Sequence, residues 1–181
     1  MTRCLVVYAS KYGSTREVAQ AIADGLGADL AAAGSYPDVR PYDLVVLGSP
    51  IYGGDYREAM IKFVRTKKSA LSKRMIAAFI TAAADWKIDP GLTGDEDELL
   101  FTQDEYAQGL AQMAGGETLS FKGFGGRLIP EDLDASDFEM LSWFYRWLMR
   151  EPLRGFDLID LPEASLWGTE LREMVGIQEE S

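Results

Sequence analysis

Short apolar runs alternating with stretches of helical period constrain this chain more than any other feature. Leu5-Val6-Val7-Tyr8-Ala9, Leu44-Val45-Val46-Leu47 and the run from Met75 through Phe79 to Ala82 show no alternation of polar and apolar positions. A strand without a polar face has to be covered on both faces. After the first run, Val18, Ala19, Ile22, Ala23 and Leu26 recur at helical spacing, with Gly25 and Gly27 as stops. Ala59, Ile61, Phe63 and Val64 follow the second run. A polar loop over 85–100 follows the third, then a helix that ends at Gly115-Gly116. Residues 29–33 and Thr118-Leu119-Ser120-Phe121 read as two more strands, and 34–42, with Pro37 and Pro41, as a loop. The expected fold is α/β, a doubly wound five-stranded parallel sheet with right-handed crossovers. Four pairs have the spacing of an N-cap and the third helical residue: Ser14/Glu17, Asp55/Glu58, Thr102/Glu105 and Ser136/Glu139.

Composition removes whole classes of chemistry. The 181 residues include no histidine, which excludes Ser-His-Asp and Cys-His catalysis and His-ligated metals. One cysteine, Cys4, allows no internal disulfide, redox pair or cysteine-held iron–sulfur cluster, and reads as a small buried apolar residue. With 29 acidic against 18 basic side chains the net charge is −11, which argues against nucleic acid as a partner. The longest apolar stretch, 76–84, is far too short to span a bilayer. A strand starting by Leu5 leaves no room for a signal peptide, so a cytoplasmic location is expected. Any redox chemistry has to come from a bound cofactor.

In a doubly wound sheet, ligands bind beyond the carboxyl ends of the strands, where the strand order reverses. Three loops there have unusual composition. Ser10, Lys11, Tyr12, Gly13, Ser14 and Thr15 join a strand to a helix N-terminus, where free N–H groups and hydroxyls favour an anion and glycine permits a tight turn. Neither GxxxxGK[ST] nor GxGxxG is present, and an ordinary βα turn explains the same residues. Gly48 to Gly54, without helical or strand period, offers Tyr52 as a stacking ring, or as packing on the next helix. Trp86, after the fourth strand, supplies a second stacking face or covers the sheet edge. In strand order 2-1-3-4-5 the first two loops lie side by side and suit a ligand with a phosphate at one end and a flat ring at the other.

Tyr8-Ala9-Ser10-Lys11-Tyr12-Gly13-Ser14-Thr15 resembles the flavodoxin signature, S/T-x-T/Y-G-x-T after the first strand, and Gly48-Ser49-Pro50-Ile51-Tyr52 resembles that family's second loop. The likeness runs to about residue 122. It implies FMN, with Ser10, Lys11, Tyr12, Gly13, Ser14 and Thr15 on the phosphate. It also implies Ser49, Pro50, Ile51, Tyr52 and Gly53, with Ala83, Asp85 and Trp86, around the isoalloxazine. Phe121-Lys122-Gly123-Phe124-Gly125-Gly126-Arg127-Leu128, the stretch from Trp143 to Met149 and Trp167, taken as opening the last helix, resemble the quinone-dependent protoporphyrinogen IX dehydrogenases of flavodoxin type. There the insertion is associated with substrate and membrane-quinone access.

Five βα units of roughly 30 residues leave a surplus concentrated over 123–162, inside one domain spanning 1–181. This insertion opens at a flexible break, Gly123-Phe124-Gly125-Gly126, and carries Glu131, Asp132, Asp134 and Asp137 before the densest aromatics in the chain. Phe138, Leu141, Tyr145 and Leu148 share one helical face, and Met140, Trp143 and Trp147 another. Such a helix is sandwiched between the sheet and the last helix, or serves as a lid, a homodimer seam or a peripheral membrane contact. Arg146, Arg150 and Arg154 are expected to line one face of it. The last helix is expected from Pro162 or Ser165 to Val175 with Leu166, Leu171 and Val175 inward.

Two functions follow. One is an FMN-dependent oxidoreductase passing electrons between an apolar donor, such as a porphyrinogen, and a quinone acceptor. The other is a flavodoxin-type electron carrier that docks redox proteins. A phosphoacceptor receiver, which shares the fold, needs an Asp at the end of the third strand, and Leu47-Gly48-Ser49 has none.

Overall fold

The computed structural model describes residues 2–52, 54–82 and 102–176. Five strands form the parallel sheet: β1 (Cys4–Tyr8), β2 (Asp29–Ala32), β3 (Leu44–Tyr52), β5 (Met75–Ala82) and β6 (Glu117–Gly125). They lie in the order β2-β1-β3-β5-β6, with β4 (Asp55–Tyr56) folding back antiparallel on the end of β3. Among the five principal strands this is the expected 2-1-3-4-5 order. The helices are α1 (Ser14–Leu26), α2 (Glu58–Leu71), α3 (Gln103–Ala114), α4 (Ala135–Phe144) and α5 (Leu161–Met174).

The apolar runs are buried on both faces, as their composition requires. Leu5, Val7, Val45, Leu47, Ile76 and Ala78 pack under α2 and α3. Cys4, Val6, Leu44, Val46, Ala77 and Phe79, one residue out of phase, pack under α1 and α5. Phe79, Phe124 and Trp167 form an edge-to-face cluster on that second side, with Phe124 and Trp167 centroids 5.8 Å apart. Helices α1 and α5 approach so closely that a Cβ on Gly25 would sit 2.1 Å from the Ser165 carbonyl oxygen. Gly25 is therefore a contact point inside α1, and Gly27 alone ends it, at φ 72°.

Several local expectations are corrected. Residues 48–52 continue β3, because β5 pairs with 48–50 (Gly48 to Phe79, Pro50 to Thr81) and β4 with Ile51 and Tyr52, pairing that their composition did not suggest. Gly123 to Gly125 likewise belong to β6, paired with Ile80 to Ala82, so they are no break. Of the four caps, Thr102/Glu105 forms a reciprocal capping box. Helix α1 starts at Ser14, with Gly13 before it, so Ser14 is a first-turn residue. Asp55 lies in β4, and α2 starts at Glu58, which pairs with Lys62 at 2.7 Å. Asp134, not Ser136, caps α4, its Oδ1 accepting from the Asp137 N–H at 2.9 Å.

The surplus residues leave the sheet through a two-stranded neck, β7 (Arg127–Leu128) paired antiparallel with β8 (Phe156–Asp157). Helix α4 is not sandwiched, since none of its residues is buried. It passes into a π-helical turn, Tyr145–Met149, and stops at Arg150 in the left-handed region (φ 53°), ahead of Pro152. Arg154 therefore lies off the helix and does not share a face with Arg146. In α5, Ala164, Trp167, Gly168 and Leu171 face inward; Trp167 sits mid-helix, and Leu166 is exposed.

Candidate functional site

The carboxyl ends of β1 and β3 lie side by side, joined by the Ala9 N–H donating to the Gly48 carbonyl at 2.9 Å. Strand order reverses here: β1 leads outward to β2, and β3 leads the other way to β5. The loop after β1 turns on itself, with the Gly13 N–H donating to Ser10 Oγ at 3.1 Å. Gly13 has φ 97°, a conformation a side chain would strain. No side chain caps α1. The first-turn N–H groups from Ser14 onward have no partner within the helix and point out of its positive end. Such a cradle can receive an anion through backbone N–H groups alone.

The side chains of this loop divide by role. Ser14 remains part-exposed beside a cleft shared with Tyr12, Arg127 and Leu133. Thr15 is buried and shares a hydrogen bond with Thr81 at the end of β5 (Oγ1 to Oγ1, 2.8 Å), which ties α1 to the sheet beneath the cradle. Lys11 and Tyr12 turn toward the insertion. Lys11 Nζ lies 2.6 Å from Asp134 and 2.8 Å from Asp137, and the Tyr12 hydroxyl donates to Asp137 at 2.6 Å. Asp134, then Asp137, hold the Lys11 ammonium well above its ordinary range, and Lys11 holds the Asp134 carboxyl below its own.

From the second loop, the Tyr52 ring meets Tyr12 at 6.4 Å between centroids, and the Arg57 guanidinium lies 5.9 Å from its centre. Burial, with Tyr12 and Asp137 nearby, pushes the Tyr52 phenol up to about 12, so it stays neutral. Ser49 is fully buried; its hydroxyl accepts from the Arg57 N–H at 3.0 Å and donates to the Pro50 carbonyl at 2.9 Å. It braces the loop and is no open donor. Pro50 pairs with Thr81 within the sheet, and Ile51 packs toward Ile80 and Ala107. The structure thus brings Ser10 to Thr15 and Tyr52 together. Gly53, Ala83, Asp85 and Trp86 lie outside the described residues.

Sequence reasoning missed the groups that join the insertion to this loop. Arg127 reaches back to Glu17 through two bonds (2.8 and 3.2 Å) and to Asp157 at 2.8 Å. This occupies the Glu17 carboxylate that the spacing had assigned to a capping box. Asp134 and Asp137 are more than 120 positions from Lys11, so no local pattern announces the contact. Their own spacing, an Asp followed three residues later by an acid ahead of an apolar run, was the available signal.

A family model described as a flavodoxin domain matches residues 5–151. The chain belongs to the flavodoxin-domain family. FMN is the cofactor that this membership carries. No curated protein matches the sequence. Among solved structures, the flavodoxin domain is similar to a flavodoxin, WrbA-like protein from Agrobacterium tumefaciens (20% identity, 96% of each chain, TM-score 0.58). It is also similar to a flavodoxin from the domain Archaea (16% identity, 96% of this chain and 99% of that one, TM-score 0.56). A third is a flavoprotein in complex with FMN from Lactobacillus acidophilus (16% identity, 68% and 93%, TM-score 0.50). At these identities the likeness is one of fold. Among the described residues, no helix is long and apolar enough to cross a membrane, and no acidic or cysteine cluster is arranged to hold a metal.

Proposed function

We propose that this flavodoxin-domain protein is an FMN-dependent oxidoreductase whose insertion admits an apolar electron donor or acceptor. The observation that carries the reading is the backbone cradle at Gly13 and Ser14, uncapped by any side chain and adjacent to Tyr52. The Ser14 hydroxyl and the first-turn N–H groups of α1 would hold the phosphate, with the helix macrodipole supplying the positive field. Lys11 contributes little to that field, because Asp134 and Asp137 already neutralise it. Tyr52, neutral and half-buried, would lie against the ring system. When bound, FMN supplies the redox chemistry, by hydride or electron transfer at its ring.

A porphyrinogen donor with a quinone acceptor is the substrate class that the insertion favours. It rises from the ligand end of the sheet and carries exposed aromatic side chains, Trp143 and Trp147 stacked on each other with centroids 6.0 Å apart. A second reading, an electron carrier that docks redox proteins, is favoured by the groups around Tyr52. Lys11 and Asp137 are bound to each other there, leaving no acid–base pair among the described residues poised for a substrate. Anaerobic mixing of the FMN-loaded protein with protoporphyrinogen and a soluble quinone separates the two. Oxidation of the porphyrinogen that depends on both reagents supports the enzyme. Cycling with a flavin reductase, but none with porphyrinogen, supports the carrier.

A further inference from the structure

We infer that Arg127 is a positioning residue for the cofactor: from the neck of the insertion it keeps the Glu17 carboxylate away from the start of α1, where that carboxylate would compete with the phosphate. On the reading proposed above, on which this rests, the phosphate takes the first-turn N–H groups of α1. Glu17 is the acidic side chain of that same turn. It stands three residues after Ser14, so the two share a helix face, with Cβ atoms about 5–6 Å apart. That is also the spacing at which an acid reaches back to an N–H at the start of a helix. The positive end of α1 attracts such a carboxylate as it attracts a phosphate. Because Glu17 is tethered one turn away, it competes as an intramolecular ligand.

Among the described residues, however, no side chain caps α1. Both Glu17 oxygens are taken by Arg127: Nη1 donates to Oε1 at 2.8 Å and Nη2 to Oε2 at 3.2 Å. On its other edge, Arg127 Nε donates to Asp157 Oδ2 at 2.8 Å. Asp157 lies directly opposite Arg127 in the pairing of β7 with β8. The guanidinium is thus fixed to the neck by one edge and presents a planar fork to Glu17 with the other. Arg127 and Ser14 line the same cleft, so this grip is made beside the phosphate position. Without it, an unpaired carboxylate would both repel a phosphate dianion and occupy its donors. The neck of the insertion therefore sets phosphate affinity without touching the cofactor.

Parallel fluorescence titrations of the full chain with FMN and with riboflavin, which lacks the phosphate, test this role. Arg127→Met is expected to weaken FMN binding about tenfold and to leave riboflavin binding unchanged. Adding Glu17→Gln removes the competing charge and should return FMN affinity to within about threefold of wild type. Asp157→Asn, which loosens the neck and leaves the Glu17 pair in place, should bind FMN like wild type. Arg127→Met that binds FMN like wild type overturns the inference. An equal loss of both flavins, or a loss in Asp157→Asn as large as that in Arg127→Met, also overturns it and makes Arg127 a brace for the neck. A loss that Glu17→Gln does not repair overturns it by making Arg127 a direct phosphate ligand. Wild type binding the two flavins equally refutes the phosphate placement itself, a result read before any variant is made.

Discussion

In the sheet, Val6, Val46, Ala77 and Phe79 are fully buried between two layers of helices; in α4, at the far end of the insertion, no residue is buried. The sheet is held by apolar burial, which acts over its whole area and needs no particular partner. The insertion is held at its neck and root by charge. Arg127 bridges Glu17 and Asp157, and Lys11 and Tyr12 grip Asp134 and Asp137. A large aromatic therefore means different things in the two regions. Phe79 and Trp167 are structural, whereas Trp143 and Trp147 are available for contact with something else.

The largest expected effect lies in the sheet. Phe79→Ala removes the centre of a buried aromatic cluster and should cost about 3–5 kcal/mol in denaturant unfolding. A loss below 1 kcal/mol would mean that burial on that face is not what holds the sheet. Next comes the cradle. Ser14→Ala with Thr15→Ala removes a hydroxyl at the proposed phosphate position and the buried bond to Thr81. By the usual worth of hydrogen bonds to charged groups, FMN affinity should fall about tenfold to a hundredfold in a fluorescence titration. Lys11→Met should then loosen the insertion, read as faster proteolysis after the aromatics of α4, while FMN affinity stays close to wild type. A large loss of FMN affinity instead would make Lys11 a phosphate ligand after all.

The same clamp gives a pH dependence whose sign follows from its two partners. Asp134 is depressed below its ordinary 3.8, so its share is present above that value and lost as pH falls through the lowered one. Lys11 is raised above its ordinary 10.5, so its share is present below that value and lost as pH rises through the raised one. Proteolysis of the insertion should be slowest between these limits and should accelerate first on the acid side. The smallest effect is expected from Trp143→Ala, an exposed site, which should change stability by no more than about 0.5 kcal/mol. A substantially larger loss would show that α4 packs against the domain.

The same contrast explains what was legible in the sequence. Wholly apolar runs separated by helical periods determine a doubly wound sheet almost by themselves, because few other folds cover a strand on both faces. Strand order and the position of the Gly13 turn followed from that reading. The errors fall where an element is made by its neighbours. Gly48 to Tyr52 looked like a loop until β5 and then β4 ran alongside it, and the glycines near Phe124 looked like a break until they paired with β5. Thr15, read as a phosphate donor, has its hydroxyl bonded to a residue 66 positions away. Lys11 was assigned to the phosphate by its place in the motif, and only the folded chain brings Asp134 and Asp137 to it. Charge pairs over such separations leave no period or spacing to read.

The central claim is that the loop from Ser10 to Thr15 recognises a phosphate attached to a flavin. The most direct measurement is a titration of the purified chain, stripped of bound small molecules, with FMN and in parallel with riboflavin, following quenching of flavin fluorescence. The expected result is saturable binding of one FMN per chain, with riboflavin at least about tenfold weaker because the charge-assisted contacts to phosphate are missing. Equal binding of the two, or no quenching by either, would contradict it.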